Sequence, residues 1–546
     1  MPGSTQPISF GTQRRMPELT LKGFLRPGAF DDDMPQTKKD ADSVQKMLER
    51  LQGNVSETKQ SVQLQAQMGV RPGPPKAAFP GAMPEAGGDD LRTQADFQFE
   101  ALLGRAQMAS DQESLDHVAR EILIRFPSFT SQQTTELVQK MDTAPGLRDH
   151  QGGDFLAELC RLLASRLREL SSMQFTTACS TVAAWSADPK RRRAPLFAQL
   201  SKVFFTAAAN EMSSRLMTFA PHELNSCLAA FVSVGFSEHK FFASVGRGPR
   251  VRNAPFWPQV QLTALLAILS EMRLVHTDLF NAAATFLSSR TKELRPVDII
   301  RVLRSFAKCN VQHQGLCRAV GAEVVARVKG GANFRAEDLC EITWALCVLE
   351  HFNPEIFTIL LKALRKVPVV ASDALTQLFE CHLALESEHK SEYRRFRDKM
   401  DADILETLQA HYRESRKDER RCSDKHRSDV ASVLKSLVDG SVHVNHRTSC
   451  GLLVDVAALR KRSSTDGFVH VDLDSNVTSV RSLDHDDPNT AGMVIEGAVA
   501  LRRRILQKQG LRLVTVRESE WRDLDESKEK RRHLRNLLSA LGDVLE

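Results

Sequence analysis

From about Phe97 to Leu385 the apolar residues of this chain recur with a helical period, and the pattern itself recurs. In the stretch Phe219 to Phe231, Leu224, Cys227, Leu228 and Phe231 stand at i, i+3, i+4 and i+7, one face of an α-helix, and a bulky apolar residue precedes it. Trp257 begins a second such block (Leu262, Leu265, Leu266, Leu269). Leu294 begins a third (Ile299, Val302, Leu303, Phe306). Phe334 begins a fourth (Leu339, Ile342, Thr343, Leu346), in which Thr343 is the one polar lapse. Looser copies start at Phe129, Met173 and Val370, so successive starts are 44, 46, 38, 37, 40 and 36 residues apart. Pro221, Pro258 and Pro296 sit near the first turn, where a missing N–H costs little. A second apolar helix is predicted after each block, as at 195–212, 277–290, 316–328 and 354–367. A two-helix unit of about 40 residues, repeated about seven times, predicts an α-solenoid over residues 96–385, because no unit can bury its apolar face alone.

The period changes near the C-terminus. Leu452 to Val456, Phe468 to Leu473 and Leu511 to Val516 are short, rich in β-branched residues and bounded by turn or charged residues, as strands are. Residues 490–509 and 528–541 read as helices, the latter with Leu534, Leu537, Leu538 and Leu541 on one stripe. The order β-β-α-β-α predicts a small α/β domain over 441–546. Between it and the repeats, 386–440 is densely charged yet keeps Leu405, Leu408 and Tyr412 in helical register, which predicts a charged helical connector. Residues 1–95 are rich in Pro and Gly, as in Arg71 to Pro75, and read as largely disordered, with one helix expected at 41–67. A short targeting segment is compatible with Arg14 and Arg15 in an acid-free start.

Charge and composition narrow the chemistry. With 74 basic and 68 acidic residues the net charge is only +6, so any basic footprint has to be local. Two local runs qualify: Lys190, Arg191, Arg192 and Arg193 within one repeat, and Arg247, Arg250 and Arg252 between repeats. Either could contact phosphate. Residues following the first core position of a block, such as Asn225, Thr263, Arg301 and Glu341, are candidate surface positions for reading an elongated ligand. Of ten cysteines, six (Cys160, Cys179, Cys227, Cys309, Cys340, Cys347) lie in apolar helical contexts, which favours buried thiols over disulfides. No apolar run reaches the roughly 18 residues of a membrane span. His443, His446 and Cys450 lack a fourth zinc ligand at suitable spacing, so no metal site is expected there.

The C-terminal segment resembles the RAP domain, an RNA-binding module. The likeness rests on Leu453-Val-Asp455-Val-Ala, Val469-His-Val-Asp472, Leu501-Arg-Arg-Arg504-Ile-Leu, Gly510 to Val516, Glu520-Trp521 and the closing 534–538 stripe. The helical units resemble octotricopeptide repeats and the helical region of FAST-kinase-like proteins. These resemblances imply an organelle RNA-binding protein acting in RNA processing, stability, translation or ribosomal RNA assembly, with a mitochondrial location favoured over a plastid. They imply RNA, and organelle ribosomal or RNA-processing proteins, as partners, and no membrane.

The RAP fold is similar to PD-(D/E)xK nucleases, which implies an alternative reading: a ribonuclease in which Asp455 and Asp472 hold magnesium. Against it, the family's Glu-x-Asp-Gly and Pro-x-His elements are missing. His470 and Leu473 stand in their place, and no lysine follows. The expectation is therefore a protein without catalysis or cofactor of its own. A helical scaffold for protein partners is the third reading. Arg502, Arg503 and Arg504 are the favoured phosphate contacts, since three successive arginines span most of a helix circumference and at least one should reach solvent.

Overall fold

The computed structural model describes residues 88–540 apart from 142–143, 149–153, 237, 249–250, 252, 332–333, 367–370, 398–401, 417–421, 439, 460–467 and 485–491. The expected helix at 41–67 and the N-terminal targeting segment lie outside the described residues. The chain is mostly helical, with a small region of sheet near the C-terminus.

The first helices are α1 (Gly88–Met108), α2 (Gln112–Arg125), α3 (Ser131–Lys140), α4 (Asp154–Arg166), α5 (Ser172–Ser186), α6 (Pro195–Ser214) and α7 (Pro221–Ser233). They are followed by α8 (His239–Arg247), α9 (Gln259–Glu271), α10 (Thr277–Ser288), α11 (Pro296–Lys308), α12 (Gln314–Lys329), α13 (Ala336–Val348) and α14 (Pro354–Lys366). Then come α15 (Ser372–Glu388), α16 (Lys390–Arg397) and α17 (Ala402–Ser415). The odd-numbered helices from α3 to α17 pack each against the next odd one. Of the even ones, α4 packs on α6, α6 on α8, α10 on α12 and α12 on α14.

The apolar positions read from the sequence are the ones buried. Leu224, Cys227, Leu228 and Phe231 are inaccessible, as are their counterparts in α9, α11 and α13. Thr343 is tolerated in that core because its hydroxyl donates to the Leu339 carbonyl at 2.7 Å. Helix boundaries repeat as strictly as the cores. The N-cap residues Ala220, Pro258, Arg295 and Arg335 are each followed, 15 residues on, by a left-handed residue: Gly235, Arg273, Asn310 and Glu350, with φ of 73°, 55°, 53° and 55°. In three of the four that residue ends the helix by a Schellman turn. Phe236 N–H returns to Phe231 O, Val311 to Phe306 and His351 to Leu346.

One copy needs a corrected register. The block expected to start at Met173 starts at Leu170. Ser171 caps α5, Phe175, Ala178, Cys179 and Val182 fill the core, and Met173 is 64% exposed.

After α18 (Asp424–Lys435) the sheet region follows. The strands β2 (Val442–Arg447), β3 (Leu453–Leu459), β4 (Phe468–Asp474) and β7 (Arg512–Arg517) form a four-stranded sheet in that order. β2–β3 and β3–β4 are antiparallel and β4–β7 is parallel. The crossover between β4 and β7 holds α19 (Gly497–Lys508), and α20 (Ser527–Ser539) closes the chain. On one face Val456, Ala458, Val469, Val471, Leu473, Val514 and Val516 pack with Val430, Val433 and Leu434 of α18 and Leu534 and Leu538 of α20. The expected helix over 490–509 begins only at Gly497. Its first residues form β6 (Met493–Ile495), which pairs with β5 (Ser479–Ser482).

The sheet region is built into the helical row. Residues Leu274–Val275, between α9 and α10, form β1 and pair in parallel with β5. Arg273 forms an ion pair with Glu496 at 3.1 Å and donates to the Val477 carbonyl. The Thr277 hydroxyl donates to Asp484 at 2.6 Å. Helix α19 lies across α11, α13 and α15, and its Leu501, Ile505 and Leu506 belong to the core of the helical row. Among the described residues no helix is long and apolar enough to cross a membrane.

Candidate nucleic-acid interface

The arginine triplet is the first site to change its meaning. Arg502 and Arg503 are buried, and both donate to the same carboxylate oxygen of Asp472, at 2.5 and 2.6 Å. Arg502 also donates to the Leu453 carbonyl at 2.7 Å, and Arg503 to Asp474. Arg504 points the other way, into the helical row. It donates to the Cys347 carbonyl at 2.6 Å and to Glu388 at 2.5 Å, and it pairs with Glu350. Of the expected phosphate contacts, Arg502 and Arg503 are buried, while Arg504 is partly exposed but engaged by the helical row. A helix with three successive arginines needs no free face when one neighbour is a sheet end carrying two aspartates and the other is a row of helix C-termini with exposed carbonyls.

The aspartates fare likewise. Asp472 is fully buried between Arg502 and Arg503. Asp455 is 2% exposed, and its Oδ2 accepts from the Leu473 N–H at 2.9 Å, tying β3 to β4. Two carboxylates that were to share a magnesium are thus committed separately, one to two guanidinium groups and one to the backbone. This donor set does not fit a divalent cation, which needs carboxylate oxygens open to it and to water.

Of the first basic run, Lys190 and Arg193 are exposed. Arg191 is buried and pairs with Asp188 at 3.4 Å, and Arg192 donates to the Ser186 carbonyl. These four therefore offer two cations, not four. Arg247 is the last residue of α8, and Arg250 and Arg252 lie outside the described residues.

Of the four candidate reading positions, Asn225, Thr263 and Glu341 meet a neighbouring helix, whereas Arg301 stays partly exposed and bonds within its own helix. Asn225 is buried and donates to Gln261 O and Oε1, and Thr263 is fully buried, with Asp298 in reach at 3.5 Å. Arg301 pairs with Asp298, and Glu341 pairs with Arg304 at 3.2 Å. Further rungs continue the ladder: Ser270 to Ser305, Glu271 to Lys308, and Trp344 to Glu380. Polar side chains at these positions hold one helix of the row to the next.

The cationic surface that sequence reasoning missed is on α20. Lys528, Arg531, Arg532 and Arg535 are exposed, and none of the four has a carboxylate partner among the described residues. At 3.6 residues per turn they cover an arc of about 100° flanking the buried Leu534–Leu538 stripe. The neighbouring Lys530 is turned inward to Asp429 at 2.8 Å, beside the buried Trp521, whose indole N–H donates to the same carboxylate. The signal was present in the sequence as a basic run on the polar side of a short amphipathic helix.

A second unassigned feature lies on the open part of the sheet. His443 of β2 and His470 of β4 both stand opposite Ala457 of β3, so all three share the face opposite the valine core. Phe468, opposite Leu459, lies on that face too. Asn445 has φ of 52°, which breaks the strand alternation and lets His446 rejoin this side. His446 stacks on Phe468 with centroids 4.8 Å apart and planes 27° apart. His443 is 6.0 Å from His446, and His470 is 5.8 Å from it. The thiol of Cys450 turns away to Thr448. Burial, then the neighbouring His443, holds His446 below the usual imidazole value. Burial, then His446, pushes His470 down to about 4.

His470 makes the stability of the sheet region depend on pH. Its folded pKa is depressed, so the unfolded chain takes up the proton first as pH falls. Stability is then full above about 6.5 and is lost progressively down to about 4, where the folded form also protonates. The full loss is about 3 kcal/mol. Urea midpoints of wild type and His470→Gln, compared from pH 7.5 to pH 4.5, should converge as pH falls; parallel curves would refute it.

The fold and this surface define a mostly helical protein with a sheet-bearing C-terminal region, a cluster of rings on the open sheet face, a stripe of exposed cations with no carboxylate partner among the described residues, and two buried aspartates in structural roles. Compared with known protein families and with well-characterised proteins, the chain matches none.

Proposed function

We propose that this is an organelle RNA-binding protein, mitochondrial in location, that acts in RNA processing, stability, translation or ribosomal RNA assembly without chemistry of its own. On this reading the helical rows are an α-solenoid of two-helix repeats, and the C-terminal region is a RAP-type domain that keeps the frame of a nuclease fold. The observation that carries the proposal is the exposed stripe Lys528, Arg531, Arg532 and Arg535, which has no carboxylate partner among the described residues and can meet successive phosphates of a strand. Cleavage is left out of it, because Asp455 and Asp472 are engaged elsewhere.

The test is RNA binding by the full chain across a salt series. Log affinity should fall linearly with log salt, and replacing the four α20 cations by alanine should lower affinity at least tenfold and shrink the slope by about 2 to 3. Failure of wild type to bind RNA at any salt would overturn the function. An unchanged slope in the variant would remove α20 from it. Magnesium-dependent cleavage lost in Asp455→Asn would restore the nuclease.

A further inference from the structure

We infer that the ring cluster His443, His446, Phe468 and His470 is a stacking platform for an unpaired nucleobase. This inference rests on the RNA-binding reading and adds to it a second contact of a different kind.

Among the described residues the platform is bounded on one side only. Over β7 and the Asp472 end of β4 the same sheet face is covered by α19, whose Leu501, Ile505 and Leu506 pack with Leu513. Over β2 and the start of β4 nothing among the described residues covers it, and His443 is exposed while His446 and Phe468 are half-buried. A buried His470 forms its floor, with its ring 6.0 Å from Phe468. His446 and Phe468 each lie within 4.8 to 6.3 Å of the other three rings, so the four form one cluster, with one open side among the described residues.

Three properties of this surface select the occupant. It is aromatic, its ring planes are tilted 27° to 60° to one another, and a flat ring can stack on the face of any one of them whatever the base. Its inner members, His446 and His470, are held neutral by burial, so the attraction is to the ring and not to a phosphate. It adjoins an open strand edge: β2 is the outermost strand of its sheet, and because Leu459 N–H bonds Ser441 O, the alternation turns the backbone groups of Val442 and Val444 away from β3. Those groups can take hydrogen bonds from the edge of a base that stacks beside them. The phosphates of the same strand are left to the α20 cations, across the sheet.

The experiment compares a labelled oligouridine with an abasic oligonucleotide of equal length, which keeps the phosphates and lacks the bases. Wild type should prefer the oligouridine by about tenfold or more. His443→Ala with His446→Ala should abolish the preference while leaving the salt slope unchanged. His443→Phe with His446→Phe, which keeps the rings, should retain it. The preference surviving in the alanine variant, or being absent in wild type that still binds both probes, would overturn the platform and leave the RNA reading standing. Binding of neither probe would overturn both. A preference lost in the alanine and phenylalanine variants alike would show that ring stacking is not the cause, and would also overturn the platform.

Discussion

Asp472→Ala should cost about 3–5 kcal/mol of stability, because it leaves two buried guanidinium groups without their shared carboxylate. Arg502 and Arg503 converge on one oxygen of a residue with no solvent access. Neither arginine can follow water outward: Arg502 is also held by the Leu453 carbonyl, and both sit on α19, whose far side is packed into the helical row. Urea unfolding of Asp472→Ala measures the loss. The double replacement Asp472→Leu with Arg502→Met removes one charge of each sign, leaves Arg503 paired with Asp474, and should recover much of it. A single variant as stable as wild type would mean that the triad is not closed in solution. A stable but RNA-blind variant would return Asp472 or its arginines to the binding site.

Gly497→Ala is expected to work against its own local preference. Alanine in a helix is favoured over glycine by about 1 kcal/mol, so a local account predicts a more stable α19. Packing predicts the reverse. A Cβ at Gly497 would lie 1.8 Å from the Ala307 carbonyl oxygen and 2.6 Å from Val348 Cγ1, one on α11 and one on α13. The oxygen belongs to backbone and cannot rotate aside, so α19 has to lift. Lifting it uncovers Leu501, Ile505 and Leu506, each worth about 1.5–3 kcal/mol when buried, and strains the Arg504 contacts to Cys347 and Glu388. The expected outcome is a net loss of about 3 kcal/mol or more, read as a lower melting temperature and early proteolysis after residue 440. A melting temperature raised by the substitution would show that α19 does not dock this closely.

The repeat was legible because each unit repeats both a core pattern and its boundaries. Leu262, Leu265, Leu266 and Leu269 could be read as one face without knowing what they touch. The register of α5 was misread at Met173 because its core there uses Ala178 and Cys179, small residues that give a weak periodic signal. Polar residues that meet a neighbouring helix were misread for another reason. Nothing in the local sequence distinguishes Asn225, which bonds Gln261 on the next helix, from an exposed asparagine. β2 was missed because Val442-His-Val-Asn-His-Arg alternates poorly and is polar, as an edge strand can be. β1, β5 and β6 were missed because strands of two to four residues carry no period to detect.

The candidate site shows the same division. The sequence alone identifies a run of three arginines on a helix and two aspartates on neighbouring strands. It does not say which side chains are spent. Arg502–Arg504 and Lys528–Arg535 are both basic runs on amphipathic helices, and local chemistry does not separate them. The difference is made by distant carboxylates and carbonyls: Asp472, Asp474, Glu388 and the Cys347 carbonyl take up the first run, and nothing described takes up Lys528, Arg531, Arg532 and Arg535. What the sequence determined was the period, the helical class and the place where helices give way to strands, all of which follow from neighbours a few residues apart. What tertiary structure alone decided was which charges are neutralised and which rings face outward, because pairing and burial are set by residues brought together from 30 to more than 200 positions away.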